Sequence, residues 1–329
     1  MRTAIRAFVI LAIVLAHAGP ASPAAEAQSD TRSWPQRNVR LILPFGAGSS
    51  TDVTARLLAE RLQAKWGNAV VIENRPGGDG LLSITSFVSA RDDHVLYFSP
   101  TSVFIVHPYQ HATLPYDPEQ DLVPVARLSK SLLVWAAPAV LAAANLKEFV
   151  ALVRASPGTM NFAVTPGFTE FVFTGFLREQ GLEMSKVPYR DIVQAPNDLA
   201  ENRIQVLGVS HTVASPQVQA GRVKLLAVAD RRRSALEPNV MSVHEAGFPS
   251  LESVSQIGVF GPRGIALELR ERIAQDFIAL VNEPAIAEKI GLAAQTIDTG
   301  GPEEFTASIA EQRVRVAGIA QLLGMTGKK

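Results

Sequence analysis

Residues 40–62 read RLILPFGAGSSTDVTARLLAERL and join an apolar strand to an amphipathic helix. Between the two lie residues 44–50, where the side chains become small. Small residues at a strand-to-helix junction let a ligand approach the backbone closely. The first four amides of a helix have no intrahelical partner, and the helix dipole adds about half a positive charge there. This stretch therefore predicts an anion site at the start of the helix.

The residue types at this junction favour a carboxylate over a phosphate. A P-loop needs a lysine after its glycines, and none follows Gly48. A dinucleotide-binding loop needs a third glycine where this chain has Thr51, and the neighbouring Asp52 would repel a pyrophosphate. Ser49 and Ser50 add hydroxyl donors. The S-x-x-D spacing from Ser49 is also that of a capping box, so Asp52 either starts the helix or contacts a ligand.

A second junction repeats this layout about 120 residues later. Residues 160–171, MNFAVTPGFTEF, again read as a strand, a turn and the start of a helix. In open parallel sheets, ligands bind beyond the carboxyl ends of the strands. Two α/β domains that face each other would therefore bring both loops to one cleft.

Short apolar runs alternate with helical patterns along the whole chain, which indicates an α/β protein with parallel sheets. Strands are predicted over residues 39–43, 70–72, 95–98, 132–135, 160–164, 204–209, 224–228 and 258–260. Helices are predicted over residues 51–65, 146–155, 170–180, 195–201, 267–282, 284–292 and 302–322.

The first 27 residues have the layout of an export signal. Arg2 and Arg6 precede an apolar run over residues 7–16, and Ala25-Glu26-Ala27 offers a cleavage site, with Ala16-His17-Ala18 as an earlier alternative. The apolar run is too short for a bilayer core, which needs about 20 residues. We therefore predict a periplasmic protein whose signal is cleaved near Ala27.

Composition and motifs argue against most catalytic chemistry. The chain has no cysteine, and it carries 31 basic and 31 acidic residues. Balanced charge argues against a nucleic-acid partner. No G-x-S-x-G motif marks a serine nucleophile. His107 and His111 have the spacing of metal ligands, but Pro108 lies between them and the glutamate of H-E-x-x-H is missing. We predict no catalytic residue, no metal and no cofactor.

Several stretches together resemble the Bug-type extracytoplasmic solute receptors of tripartite tricarboxylate transporters, over nearly all of the predicted mature chain. They are WPQRNVRLILPFGAGSSTDVTARLLAERL, VVIENRPGGDG, LPYDPEQDLVPVARL, RASPGTMNFA, KVPYRDIVQAPNDLAENRIQV, AGRVKLLAVADRRR and VHEAGFPSLE. Each match is modest, but their order and spacing are specific.

The resemblance implies a two-domain Venus-flytrap fold of the type II periplasmic binding class, each domain a mostly parallel sheet flanked by helices. Domain 1 would comprise residues 28–127 and 227–329, and domain 2 residues 128–226. The implied function is non-enzymatic: a monomeric receptor captures an organic di- or tricarboxylate in the interdomain cleft and delivers it to the membrane subunits of the transporter. The alternatives are a sensor module for a signalling partner and an enzyme that acts on a carboxylate.

The predicted ligand contacts come from both loops and from two further places. They are Phe45, Ala47, Gly48, Ser49, Ser50, Asp52, Thr101, Thr165, Gly167, Phe168, Thr169, Arg190 and Asp191. Arg190 and Asp191 follow Tyr189, where the family commonly has Lys-Gly. Arg190 would either clamp a second carboxylate of the ligand or form an exposed pair with Asp191.

Overall fold

Two β-sheets organise the chain, and helices flank both. The computed structural model describes residues 34–189 and 192–327. The predicted export signal, together with Arg190 and Asp191, lies outside these residues. Pro35–Lys329 belong to a single compact unit, which contains both sheets.

The first sheet has six strands in the order β11-β4-β10-β3-β1-β2. These strands are β1 (Val39–Leu43), β2 (Val70–Asn74), β3 (Val95–Pro100), β4 (Val123–Ser131), β10 (Ser255–Gly261) and β11 (Gln295–Gly300). With its flanking helices this sheet forms the first lobe. The helices are α1 (Ser50–Trp66), α2 (Leu81–Ala90), α8 (Leu267–Val281), α9 (Pro284–Leu292) and α10 (Pro302–Leu322). A short α3 (His107–Gln110) follows β3.

The second sheet has five strands in the order β7-β6-β8-β5-β9. They are β5 (Leu133–Pro138), β6 (Asn161–Val164), β7 (Ser185–Lys186), β8 (Val206–Ser210) and β9 (Val223–Val228). This sheet and its helices form the second lobe. The helices are α4 (Leu146–Ala155), α5 (Phe168–Gln180), α6 (Ala195–Ala200) and α7 (His211–Gln219).

Both sheets are mixed rather than mostly parallel, which corrects one detail of the predicted α/β fold. β1 pairs in parallel with β2 and β3, but β10 is antiparallel to both β3 and β4. In the second sheet β5 is antiparallel to β8 and β9. The physical reason is the passage of the chain between the sheets. β5 and β10 are the first strands after a passage, so they run away from it. Their sheet neighbours run toward the passage, so the pairs they form are antiparallel.

The chain passes between the lobes at two places. β4 ends at Ser131 and β5 begins at Leu133, and β9 ends at Val228 before β10 begins at Ser255. Leu132 is bonded on both sides: its N–H donates to Ala294 O at 3.1 Å, and its carbonyl accepts from His211 N at 2.9 Å. We call the edge of each sheet that faces these passages the crossing edge. The predicted domain boundaries themselves stay predictions.

Aromatic residues fill the core of each lobe. In the first lobe, Phe260 contacts Phe305 and Phe104 with ring centroids 5.1 and 5.2 Å apart. In the second lobe, Trp135 stacks on Phe173 at 5.0 Å. All of these side chains are buried, and each contributes about 1.5–3 kcal/mol or more by leaving water. The sheets are therefore rigid supports for the loops at their crossing edges.

Candidate functional site

The two strand-to-helix loops and Thr101 lie at the crossing edges. β1 and β3 run in the same direction as β4, toward the point where β4 leaves the first sheet. β6 and β8 run in the same direction as β9, toward the point where β9 leaves the second sheet. The residues that follow β1, β3 and β6 are therefore presented at the passage between the lobes.

The loop after β1, here called loop 1 (residues 44–49), is fixed by a capping arrangement. Ser49 is the N-cap of α1, and its Oγ accepts a hydrogen bond from Asp52 N at 3.2 Å. The Asp52 carboxylate reaches back and accepts from Gly48 N at 2.8 Å. Gly48 has φ +85°, a conformation that favours glycine. The S-x-x-D spacing thus marks the start of the helix, as the capping interpretation predicts.

Asp52 is held by protein groups from three directions. Besides Gly48 N, its carboxylate accepts from Arg56 Nε at 3.0 Å and from Asn74 Nδ2 at 2.9 Å. Asn74 also donates to Phe45 O at 2.8 Å. Burial alone would raise the pKa of the Asp52 carboxyl, but the bonds from Arg56, Gly48 and Asn74 outweigh it and hold the pKa below its usual value. Asp52 therefore stabilises loop 1 as an ionised, buried carboxylate.

These bonds leave only part of the loop 1 backbone available to a ligand. Gly48 N donates to Asp52, and Ser49 N lies 3.4 Å from Gly46 O. Within residues 34–189 and 192–327, no acceptor receives a hydrogen bond from Ser50 N or Thr51 N. Of the three residues at the predicted anion site, Ser50 is the one whose amide stays open, and it is exposed.

The loop after β6, here called loop 2 (Thr165, Pro166 and Gly167), has no comparable cap. Gly167 is the N-cap of α5, with φ +85° and ψ −126°, a region open almost only to glycine. No side chain caps this helix. Thr165 N donates to Gly208 O at 2.9 Å, and the first helical bond runs from Phe171 N to Gly167 O at 3.0 Å. In the described part of the chain, the amides of residues 168–170 donate to no acceptor.

Thr101 and Thr169 are buried and pair with residues distant in sequence. Thr101 Oγ1 donates to Gln312 Oε1 at 2.8 Å, and Ser253 Oγ donates to Thr169 Oγ1 at 3.4 Å. Ser255 Oγ donates to Ser102 Oγ at 2.7 Å. Sequence reasoning missed Gln312, Ser253 and Ser255, because separations of 84 to 211 residues leave no local pattern.

The remaining predicted contacts fall into three groups. Ala47 is exposed and Phe45 is half-buried in loop 1. Phe168 is buried in the core beneath α5, as is Phe171, whose ring lies 5.9 Å from that of Tyr109. Arg190 and Asp191 lie outside the described residues, although the preceding Tyr189 donates its hydroxyl to Asp198 Oδ2 at 2.5 Å.

Of the two histidines with metal-ligand spacing, His107 has partners within the protein on both ring nitrogens. His107 Nδ1 lies 2.9 Å from Tyr116 Oη, and its Nε2 lies 3.0 Å from Asp79 O. Burial lowers the pKa of His107 to about 4, so the ring is neutral at pH 7. His211 Nε2 bonds Glu237 Oε1 at 2.7 Å. These contacts give His107 and His211 structural roles.

One group of three potential metal ligands occurs among the described residues, namely Asp92, Asp93 and His94. Its three side chains already have hydrogen-bond partners within the protein. His94 Nδ1 lies 2.6 Å from Asp93 Oδ1, and its Nε2 accepts from Gln36 N at 3.1 Å. Asp92 accepts from Arg37 at 2.6 Å. The group reads as an ion-paired turn at the start of β3.

Two α/β lobes joined by two chain passages, with helix N-termini presented at the passage, define a two-domain periplasmic binding protein of the Venus-flytrap type. A solved R. palustris protein with adipate has this architecture, with a TM-score of 0.74 and 25% identity over 89% of this chain and 99% of that one. Among the described residues, none of the helices combines the length and the apolarity needed to cross a bilayer.

The chain belongs to the family described as TctC, tripartite tricarboxylate transporter family receptor, whose profile matches residues 54–324. It is 31% identical to a UPF0065 protein of Bordetella bronchiseptica, over 97% of this chain and 92% of that protein. It is 27% identical to protein BugT of Bordetella pertussis, over 97% and 98% of the two chains. The predicted resemblance to Bug-type receptors is thereby confirmed.

Proposed function

We propose that this receptor captures an organic carboxylate between its lobes, and that the N-termini of α1 and α5 together bind one carboxylate group. One observation carries the proposal: α5 has no side-chain cap, and its first amides are open at the crossing edge. An uncapped helix N-terminus is a favourable place for a carboxylate. The R. palustris relative solved with adipate supports the same ligand class.

The contacts follow from the two loops. On the first lobe, the amides of Ser50 and Thr51 and the hydroxyl of Ser50 are the available donors. On the second lobe, residues 168–170 offer amides, and Gly167 leaves the approach open because no side chain covers it. Neither loop contains a lysine or arginine, so the pair suits a carboxylate better than a polyphosphate.

Arg190 supplies the basis for selecting a dicarboxylate. A guanidinium binds a carboxylate through two parallel hydrogen bonds, so Arg190 would hold the far end of a dicarboxylate. The proposal therefore assigns one carboxylate to the helix N-termini and the second to Arg190, and it keeps Asp191 among the ligand contacts.

The wider role follows the family. The mature receptor starts after a signal cleaved near Ala27, acts in the periplasm as a monomer, and presents the closed, loaded form to the transporter's membrane subunits. It binds its ligand without changing it chemically.

The test compares adipate with hexanoate, which has the same chain length but one carboxylate. Thermal unfolding and titration calorimetry of the mature chain should show stabilisation by adipate, which at about 100 times its Kd adds about 2.7 kcal/mol. Hexanoate should bind at least about tenfold more weakly. Stabilisation by no mono-, di- or tricarboxylate of a panel would refute the proposed function.

Arg190→Lys separates the ligand class from the clamp. The variant should bind adipate and hexanoate with similar affinities, because lysine lacks the two-pronged geometry. Arg263→Lys is the matched control, since Arg263 forms an exposed pair with Asp121 at 2.9 Å. Equal affinities for the two ligands in the wild type would remove Arg190 from the site but leave carboxylate binding intact.

A further inference from the structure

One face of α10 touches the first sheet, the second passage and the second lobe in turn. Ser308, Gln312, Arg315 and Ile319 are spaced by four, three and four residues, which places them on one side of the helix. We call these four residues the α10 contact face.

The N-terminal part of the face contacts the first lobe. Ser308 Oγ and Gln312 Nε2 both donate to Gln256 Oε1 of β10, at 2.7 and 2.8 Å. Gln312 Oε1 accepts from Thr101 Oγ1 at 2.8 Å. The face is thus bonded to a residue that the sequence predicts as a ligand contact.

The middle of the face holds the second passage through one carboxylate. Arg315 Nη2 lies 2.7 Å from Glu252 Oε1, and Arg315 Nη1 donates to Glu252 O at 2.9 Å. His244 Nε2 and Arg231 Nε contact the same carboxylate at 2.8 and 3.3 Å. The Glu252 side chain is only 8% exposed. Burial alone would raise its pKa, but Arg315, His244 and Arg231 hold the pKa below its usual value.

The residues after Glu252 alternate between two sides of the chain. Ser253 and Ser255 bond Thr169 of α5 and Ser102 after β3. Glu252, Val254 and Gln256 instead line a cavity of about 320 Å³ that also borders the α10 contact face. This short segment therefore touches both lobes on one side and α10 on the other.

The C-terminal part of the face contacts the second lobe. Ile319 packs on α5 at Gly175, where an added Cβ would lie only 2.6 Å from Ile319 Cγ2. Such a distance is far shorter than a normal carbon–carbon contact, so any larger residue at position 175 must displace Ile319 or the helix that carries it. Gly175 therefore permits the close approach of α5 and α10.

We propose that Arg315 is a positioning residue for ligand capture: by fixing Glu252 it sets Ser253 against Thr169, and with Ile319 it sets the angle at which the second lobe meets the first. This inference rests on the proposed capture of a carboxylate between the lobes. Arg315 acts through Glu252 and not by touching the ligand; together with Gln312, which accepts from Thr101, it fixes the relative placement of Thr101 and Thr169.

The first experiment removes the positioning contact. Arg315→Gln should weaken adipate binding at least about tenfold and enlarge the radius of gyration of the ligand-free protein in X-ray scattering. Arg315→Lys, which retains the charge, should recover part of both. Arg40→Gln is the matched control, because Arg40 makes two bonds to Glu73, at 2.5 and 2.9 Å, away from the passage. The control should lose stability without a change in affinity or radius.

A second variant, Gly175→Ala, and measurements on the ligand-free protein test the inference when Arg315→Gln alone does not. If Arg315→Gln fails to fold, Gly175→Ala tests the same contact face, because the added methyl group must displace Ile319. This variant should also show the larger radius and the weaker binding. A folded Arg315→Gln with wild-type affinity, radius and amide exchange at Ser253 and Thr169 would refute the inference. If the wild type binds no carboxylate, the proposed function fails, while scattering and amide exchange still test the role of Arg315.

Discussion

Loop 1 and loop 2 have the same layout in sequence, but they use their helix N-termini differently. In loop 1 the protein supplies its own carboxylate: Asp52 occupies Gly48 N and is fixed by Arg56 and Asn74. In loop 2 no side chain caps α5, and Gly167 adopts a conformation that keeps the backbone uncovered. The protein's own side chains cap the helix after loop 1, whereas no side chain caps the helix after loop 2.

A small-residue junction is therefore not by itself an anion site that is open to a ligand. The free amides at a helix N-terminus can donate either to a side-chain carboxylate of the protein or to a carboxylate of a ligand. Next to loop 1, the start of α1 offers a ligand mainly the amides of Ser50 and Thr51, because Gly48 N already donates to Asp52. We therefore expect the larger share of anion binding on the second lobe.

Gly167→Val should have the largest effect. Valine is strained at φ +85° and ψ −126°, and its side chain would cover amides that bind the carboxylate. Losing two hydrogen bonds to a charged ligand group corresponds to a loss of about 100-fold or more in affinity. Titration calorimetry with adipate measures this change.

The control is Gly221→Val, in the same lobe. Gly221 has φ +69° and open space around it, but it precedes β9 at the end remote from the crossing edge. It should lose stability through the same backbone strain and keep its affinity. If both valine variants lower the affinity equally, loop 2 has no special role and the contrast with loop 1 fails.

Asp52→Asn should destabilise the fold by about 1–3 kcal/mol, because it replaces the buried carboxylate that accepts from Gly48 N and Asn74 with a neutral amide. Chemical denaturation of the ligand-free protein measures this loss. Glu170→Gln provides the comparison in the first turn of α5, where the carboxylate pairs with Lys186 at the surface. That change should cost less than about 0.5 kcal/mol.

The pH dependence gives Asp52 a second test. Since its folded pKa is lowered, its stabilisation is fully present above the unfolded value near 3.8 and is lost as pH falls through the folded pKa. Wild-type stability should therefore fall more steeply below pH 3.8 than that of Asp52→Asn. Parallel acid profiles of the two proteins would show that Asp52 is not the charged cap of loop 1.

Thr169→Val should have the smallest effect. The substitution keeps the volume but removes the hydroxyl that accepts from Ser253, which corresponds to about 0.5–1.5 kcal/mol. Adipate affinity should fall by a few-fold, and Thr169→Ser should restore it. No change in Thr169→Val would mean that the second lobe binds through its backbone amides alone.

Local patterns predicted most of the fold. The apolar run of β1 and the long helices α1, α8 and α10 appear within one or two residues of their predicted limits, because their periodicity is decided by neighbours in the chain. β4 and β11 were not predicted, since Pro124, Arg127 and Lys130 interrupt the apolar pattern of β4. α7 was not predicted either, because Pro216 lies inside it and interrupts the helical pattern.

The site was predictable only as far as local chemistry decides it. The spacing of Ser49 and Asp52 predicted a cap, and both residues take part in one. The bond that Asn74 donates to Asp52 depends on how β2 lies beside β1, and the bond that Thr101 donates to Gln312 spans 211 residues. Such contacts arise from tertiary packing, so no local sequence pattern predicts them.

The strand order of the first sheet has a consequence for how the protein can be assembled. β10 lies between β3 and β4, although the whole second lobe separates it from them along the chain. An emerging chain that has not yet reached Ser255 would hold β3 and β4 as unpaired sheet edges, which are prone to pair with other molecules. The second lobe, whose strands run without interruption from Leu133 to Val228, carries no such dependence. A chain truncated after the second lobe would therefore have a complete second sheet and an incomplete first sheet, which is prone to aggregate.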